Sequence, residues 1–266
     1  MDERNTNSPI SEKQNSNWLL PASILVAGII IAVAVIYSTG AKNINTQEQN
    51  QNEANNGNQN QQQAGMPSIN STDVVLGDNN APITIIEFGD YQCPFCAKFW
   101  KEIEFSLIKN YIDTGKVKFV FKPVAIVDSI VGKGTESKDS VNAVKCASEQ
   151  GKFWQFHDAL FEIEFNELNT VSTGSEGNGN LNITLFNKIA TNLGMNVKDF
   201  TSCYNSGRHK DDDQKYMQEA QEALPNGVGT PAVFLNGKKV EFSMNSKREF
   251  DFTAFSAVID KVLEKK

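Results

Sequence analysis

The sequence has little of what metal sites and phosphate sites are made from. Histidine occurs only at His157 and His209, and the four cysteines include a single close pair, Cys93 and Cys96. A structural zinc site draws on a second close pair of ligands, and a copper-handling site draws on more Met and His than this chain has, so both are disfavoured and no metal is expected. The Asp211–Asp213 run offers too few oxygen ligands for calcium by itself and reads as a solvated helix face. No glycine-rich phosphate loop is present, because STGSEGNGN at 172–180 lacks the Lys-Ser/Thr ending and reads as a mobile loop. A formal net charge of −7 disfavours a general nucleic-acid binder.

What is present falls into four stretches. A short tail, 1–17, precedes WLLPASILVAGIIIAVAVIY at 18–37, which carries no formal charge. That run is long enough to cross a hydrocarbon core as one helix and is bracketed by Trp18 and Tyr37, so it reads as a transmembrane signal-anchor; the competing reading is a cleaved secretory signal. Arg4 and Lys13 before it, against Lys42 after it, favour the N-terminus inside. The remainder then lies outside the cytoplasm, at the cell surface or in a periplasm, where disulfides persist. Residues 38–72 are rich in Asn and Gln and bury too little apolar surface to fold, so a flexible, disordered linker is expected. Residues 73–266 suffice for one domain with a full core.

Within that domain, ITIIEF at 83–88 reads as a central strand buried on both faces. Helical spacing of Cys96, Phe99, Trp100, Ile103, Leu107 and Tyr111 predicts a helix over 94–114, followed by a strand at 117–121. Residues 138–224 read as almost wholly helical: one long stretch bent near Gly151, a helix ended by Gly194, and a third over 197–223. PAVFL at 231–235 and KVEF at 239–242 flank Asn236-Gly237, a hairpin turn signal, and an amphipathic helix closes the chain. The expected fold is α/β: a split α/β unit with a helical insertion at about 138–224.

That order puts Cys93 at a strand-to-helix junction, with Pro94 at the first helical position, where its missing N–H costs nothing. One turn separates the two cysteines, so their Cα atoms should lie roughly 5 to 6 Å apart, within disulfide range. Free N–H groups and the helix dipole favour a thiolate at the first cysteine. Cys93, at the exposed helix start, is therefore expected to be the nucleophile and Cys96 the resolving sulfur. An inert staple is the bland alternative.

FGDYQCPFCAKFW at 88–100, CASEQGKFWQFHDALF at 146–161 and GVGTPAVFLNG at 227–237 together resemble the DsbA-like branch of the thioredoxin superfamily, over nearly all of 73–266. The resemblance implies a thioredoxin fold with an inserted helical domain, here preceded by one transmembrane helix and a disordered linker. It implies a protein-disulfide oxidoreductase acting on cysteine-containing secreted or membrane proteins, with no cofactor. It also implies that Thr230-Pro231 is the cis-proline segment facing the active pair, where the main chain of Thr230 can pair with an extended client; from sequence alone Pro231 is equally an ordinary strand-start proline.

Other residues stay open at this level. Glu87, inside the apolar strand, is either a buried acid serving as a proton shuttle to Cys96, as the resemblance implies, or an edge-facing surface residue. Asp90 reads as a turn residue. Pro94 and Phe95 are expected to meet the client beside Thr230 and Pro231; Tyr91, Phe95 and Trp100 form either an apolar rim or core. Cys146 and Cys203 are expected to form a structural disulfide in an oxidising compartment, against two buried free thiols; such a bridge contributes at most about 4 kcal/mol. His157 reads as a packing or hydrogen-bonding residue. The expected direction is oxidation of clients, with a membrane quinone-linked partner restoring the disulfide. A reductase or isomerase is the alternative within the fold, and a redox-inactive, membrane-tethered peptide-binding chaperone module the alternative of another class.

Overall fold

The computed structural model describes residues 65–168, 176–242 and 244–265. The tail at 1–17, the expected anchor at 18–37, most of the expected linker and the first part of the 172–180 loop lie outside them. Among the described residues no helix is long and apolar enough to cross a membrane.

Five strands form one sheet in the order β1-β3-β2-β4-β5: β1 (Val75–Leu76), β2 (Ile83–Gly89), β3 (Val117–Pro123), β4 (Ala232–Leu235) and β5 (Lys238–Lys239). β2 and β3 run parallel; the other neighbours are antiparallel. β2 sits in the middle and is buried on both faces. Its period-two alternation sends Ile83, Ile85 and Glu87 to the larger core, while Ile86 and Phe88 enter a second core on the opposite face.

Between β2 and β3 runs helix α1. It starts as Pro94–Phe99, widens to a π-helical turn at Trp100–Glu104, narrows over Phe105–Leu107 and widens again at Ile108–Ile112. The expected plain helix over 94–114 is thus shorter and unevenly wound; the chain leaves it through Gly115 at φ 70°.

The helical block begins earlier than expected, at α2 (Val127–Val131), and continues with α3 (Glu136–Ser148), α4 (Phe153–Leu168), α5 (Ile183–Asn192), α6 (Val197–Ser206) and α7 (Asp212–Ala223). The stretch expected to bend near Gly151 is two helices, and the one expected over 197–223 is also two. Gly151 (φ 69°) and Gly207 (φ 63°) take the left-handed conformation at the breaks, where a helix cannot continue. Cys146 of α3 and Cys203 of α6 are joined by a disulfide, with Cα atoms 5.8 Å apart.

Asn236 (φ 48°) and Gly237 (φ 78°) form the hairpin turn between β4 and β5. The strand expected over 239–242 stops at Lys239. Phe242 leaves the ladder to pack on Phe99, Phe250 and Phe255, the last in the closing helix α8 (Phe252–Leu263). Apolar burial there outweighs two more ladder bonds at an exposed edge.

The folded part also reaches further toward the N-terminus than residue 73. The buried Lys122 ammonium donates to the Ser68 carbonyl at 2.6 Å, Lys145 donates to the Thr72 carbonyl at 3.0 Å, and Ser68 N–H donates to Glu219 at 2.9 Å. These bonds pin 68–72 to the sheet and to α3 and α7, so the end of the expected linker is structured.

Candidate active site

β2 ends at Gly89 because the chain must turn under a close neighbour: a Cβ there would lie 2.4 Å from the Phe121 ring. Residues 90–92 make the turn and Cys93 caps α1 in extended conformation (φ −77°, ψ 118°), its carbonyl accepting from Ala97 N–H. Both Cys93 and Cys96 are free thiols. Cys93 is not at an exposed position as expected; it is only 6% exposed, and Cys96 is fully buried. The cover comes from the segment before β4. Pairing of β4 with β2, Ala232 opposite Phe88, carries Thr230-Pro231 over the start of α1. That peptide bond is cis, and Cys93 Sγ donates to the Thr230 carbonyl at 3.5 Å.

The two sulfurs are electrostatically unequal. The Cys93 thiol is held below its ordinary pKa, first by a hydrogen bond from the Cys96 thiol, then by hydrogen bonds from the Thr230 side chain and the Cys96 backbone, against the opposing effect of burial. The expected helix-start N–H therefore contributes, but the second thiol contributes more. Cys96 is pushed well above the thiol range, by burial first and then by Cys93 and by the Glu87 charge. Of the two thiols, Cys93 gives up its proton first and Cys96 holds its own.

Glu87 is fully buried on β2, not at an edge, and its carboxyl meets that of Glu104 in a hydrogen bond. Burial, then the nearby Glu104 carboxylate, pushes its pKa well up. Such a group holds its proton more tightly than an ordinary carboxyl.

Asp90 does more than turn the chain. Its Oδ1 accepts from Gln92 N–H (2.9 Å) and the Ser137 hydroxyl (2.8 Å), and its Oδ2 accepts from Val127 N–H (2.8 Å). Burial still pushes it up to about 6. Gln92 extends the brace: its amide donates to Asp128 and Ser137, and its oxygen accepts from Gly177 N–H. The turn that presents Cys93 is thus bonded to α2, to α3 and to the loop before α5. Sequence reasoning did not single out Gln92, Asp128, Ser137 or Glu104. Only Glu104 left a readable mark, as an acid on the apolar stripe Cys96, Trp100, Glu104 at four-residue spacing.

Tyr91 and Trp100 are core, not rim: Tyr91 packs on Phe121 and Phe161, and Trp100 donates to Asp158. Phe95 is the partly exposed aromatic. With Thr230, Pro231, Phe242, Arg248 and Phe250 it lines a groove of about 340 Å³ beside Cys93. Among the described residues the one cluster with metal-ligand spacing is Cys146, Cys203 and His209, and its two sulfurs are already bonded to each other.

A low-pKa sulfur at a helix start, a protonated partner one turn deeper and a cis-proline segment across them define a thiol–disulfide oxidoreductase of the DsbA-like class. The chain belongs to the thioredoxin family: the family model described as Thioredoxin matches residues 69–261. It is 29% identical over 204 residues to disulfide bond formation protein D of Bacillus subtilis, spanning 76% of this chain and 82% of that protein. The crystal structure of oxidised BdbD from Bacillus subtilis superposes with a TM-score of 0.60 at 26% identity, covering 76% of this chain and 97% of that one. Wolbachia pipientis α-DsbA1 shares the fold, with a TM-score of 0.57 at 23% identity over 75% of this chain and 94% of the other.

Proposed function

We propose that this protein oxidises the thiols of client proteins outside the cytoplasm, held to the membrane by residues 18–37. The observation that supports the direction is the lowered pKa of Cys93, because stabilising the reduced form makes the disulfide more oxidising. The buried Cys146–Cys203 bridge supports an oxidising compartment.

A client thiolate attacks Cys93 Sγ, forming a mixed disulfide and breaking the Cys93–Cys96 bond. The electron pair passes to Cys96 Sγ, which takes the proton held by Glu87. The second client thiolate attacks the client sulfur of the mixed disulfide and releases Cys93 as thiolate. The client loses two electrons and two protons; a membrane quinone-linked partner then removes two electrons from the dithiol. In the opposite direction Cys93 attacks and Cys96 resolves. Thr230 offers its main chain to an extended client, with Pro231, Pro94 and Phe95 shaping the groove.

The test is the reduction potential of the Cys93–Cys96 pair together with oxidation of a reduced client by the parent and by Cys93→Ala. A potential near about −120 mV is the expected value, and one near about −270 mV overturns the direction in favour of a reductase. Equal activity in Cys93→Ala overturns the enzyme reading in favour of a binding module.

A further inference from the structure

One buried polar cluster joins the helical insertion to the redox site. His157 of α4 is fully buried, with Nδ1 3.2 Å from the Tyr91 hydroxyl and Nε2 3.3 Å from Glu104 Oε2. Phe121, Phe161 and Trp154 enclose the ring at centroid distances of 4.6, 4.9 and 5.2 Å. The geometry lets Tyr91 O–H donate to Nδ1 while Nε2–H donates to Glu104, and burial keeps the proton on Tyr91 as that arrangement requires. The Glu87 and Glu104 carboxyls meet in a hydrogen bond, which needs a proton on one of them. Two carboxyls in one apolar site do not both ionise.

We propose that His157 is a positioning residue of the redox site: by donating to Glu104 it holds that carboxyl against Glu87, so that Glu87 holds the proton used by Cys96. This rests on the reading of Glu87 as proton donor to Cys96. The helical insertion then does more than cover the sheet; it sets the pH range over which the disulfide reacts. Without the imidazole, Glu104 loses the donor that holds it against Glu87, and Glu87 gives up its proton more readily.

Besides Glu104, the titratable groups that interact with Glu87 are Cys93, Cys96 and Tyr91; Asp158 on α4 and Tyr216 on α7 act on Tyr91, and Asp90 acts on Cys93. β4 brings none, and Lys122 of β3 points to the opposite face, toward Asp73 and Glu219.

The reaction of the oxidised protein with reduced glutathione reads this out. Glutathione thiolate attacks Cys93, and the electron pair leaves to Cys96 with the proton of Glu87. A second glutathione thiolate attacks the glutathione sulfur and releases oxidised glutathione and the Cys93 thiolate. The rate constant, divided by the glutathione thiolate fraction, falls as pH rises through the titration of Glu87. In Glu104→Gln and in His157→Leu that falling limb moves down by at least about one pH unit, a tenfold change in proton affinity. His157→Gln, whose amide donates to Glu104, keeps the parent limb. The double variant Glu104→Gln/His157→Leu matches Glu104→Gln alone, because the histidine acts through that carboxylate.

A limb unmoved in Glu104→Gln, or a double variant showing the sum of two shifts, overturns the proposal. Near-UV circular dichroism checks that each variant keeps the parent packing. Should His157→Leu not fold, Glu104→Gln and His157→Gln still decide. A parent limb that survives Glu87→Gln sinks the underlying reading of Glu87 instead, and a parent that does not react with glutathione sinks the exchange reaction itself.

Discussion

Cys93 Sγ and the carbonyl oxygen of Thr230 lie 3.5 Å apart, though 137 positions separate them in the chain. The strand pairing Phe88–Ala232 is what closes that distance. It places a main-chain acceptor on the Cys93 sulfur.

The depressed Cys93 pKa should depend on its neighbour more than on the helix start. Cys96→Ala removes the largest favourable hydrogen bond and should move the Cys93 titration upward, while Cys96→Ser, which still donates, should move it less. Thiolate absorbance at 240 nm against pH measures both. Equal titrations in the two variants would return the credit to the helix terminus.

Asp90 makes folding stability depend on pH with an unusual sign. Its folded pKa, about 6, lies above the ordinary 3.8, so the folded state binds more protons than the unfolded one between those values. Its contribution is present below about pH 3.8 and is lost as pH rises to about 6, on the order of 3 kcal/mol in all. Urea unfolding from pH 4 to 7 should show this loss in the parent and a flatter profile in Asp90→Asn. Identical slopes would refute the assignment.

Removing the second disulfide should cost stability but not chemistry. The bridge spans 57 positions, and its loss as Cys146→Ala/Cys203→Ala should cost about 2–4 kcal/mol. Client oxidation by the folded variant at low temperature should match the parent. A lost activity there would give the bridge a catalytic part that the geometry does not assign.

Lys122 neutralises Asp73 at 3.2 Å and pairs with Glu219, and the Lys122 and Asp73 side chains are fully buried. Lys122→Met leaves the Asp73 carboxylate buried without its cation and should destabilise by about 3–5 kcal/mol. Adding Asp73→Asn should recover part of it. Chemical denaturation of the three variants checks the order.

The legible parts were those in which chemistry is local. ITIIEF announces a central strand, Cys-Pro-Phe-Cys announces its own placement at a helix start, and Asn236-Gly237 announces its hairpin. Less legible was anything set by a distant partner. Asp90 looked like a turn residue because its three donors come from Gln92, Val127 and Ser137, the last 47 positions away. Tyr91 and Trp100 were ambiguous between rim and core for the same reason.

By itself the sequence determined the close cysteine pair and the strand and helix that hold it, because spacing and periodicity are properties of a few consecutive residues. Only the tertiary structure decided that Glu87 is buried and not at an edge, that Cys93 is covered, that the Cys96 thiol lowers its pKa more than the helix start does, and that a histidine in the insertion touches Glu104. Those depend on desolvation and on contacts across tens of positions, and no short stretch of chain encodes either one.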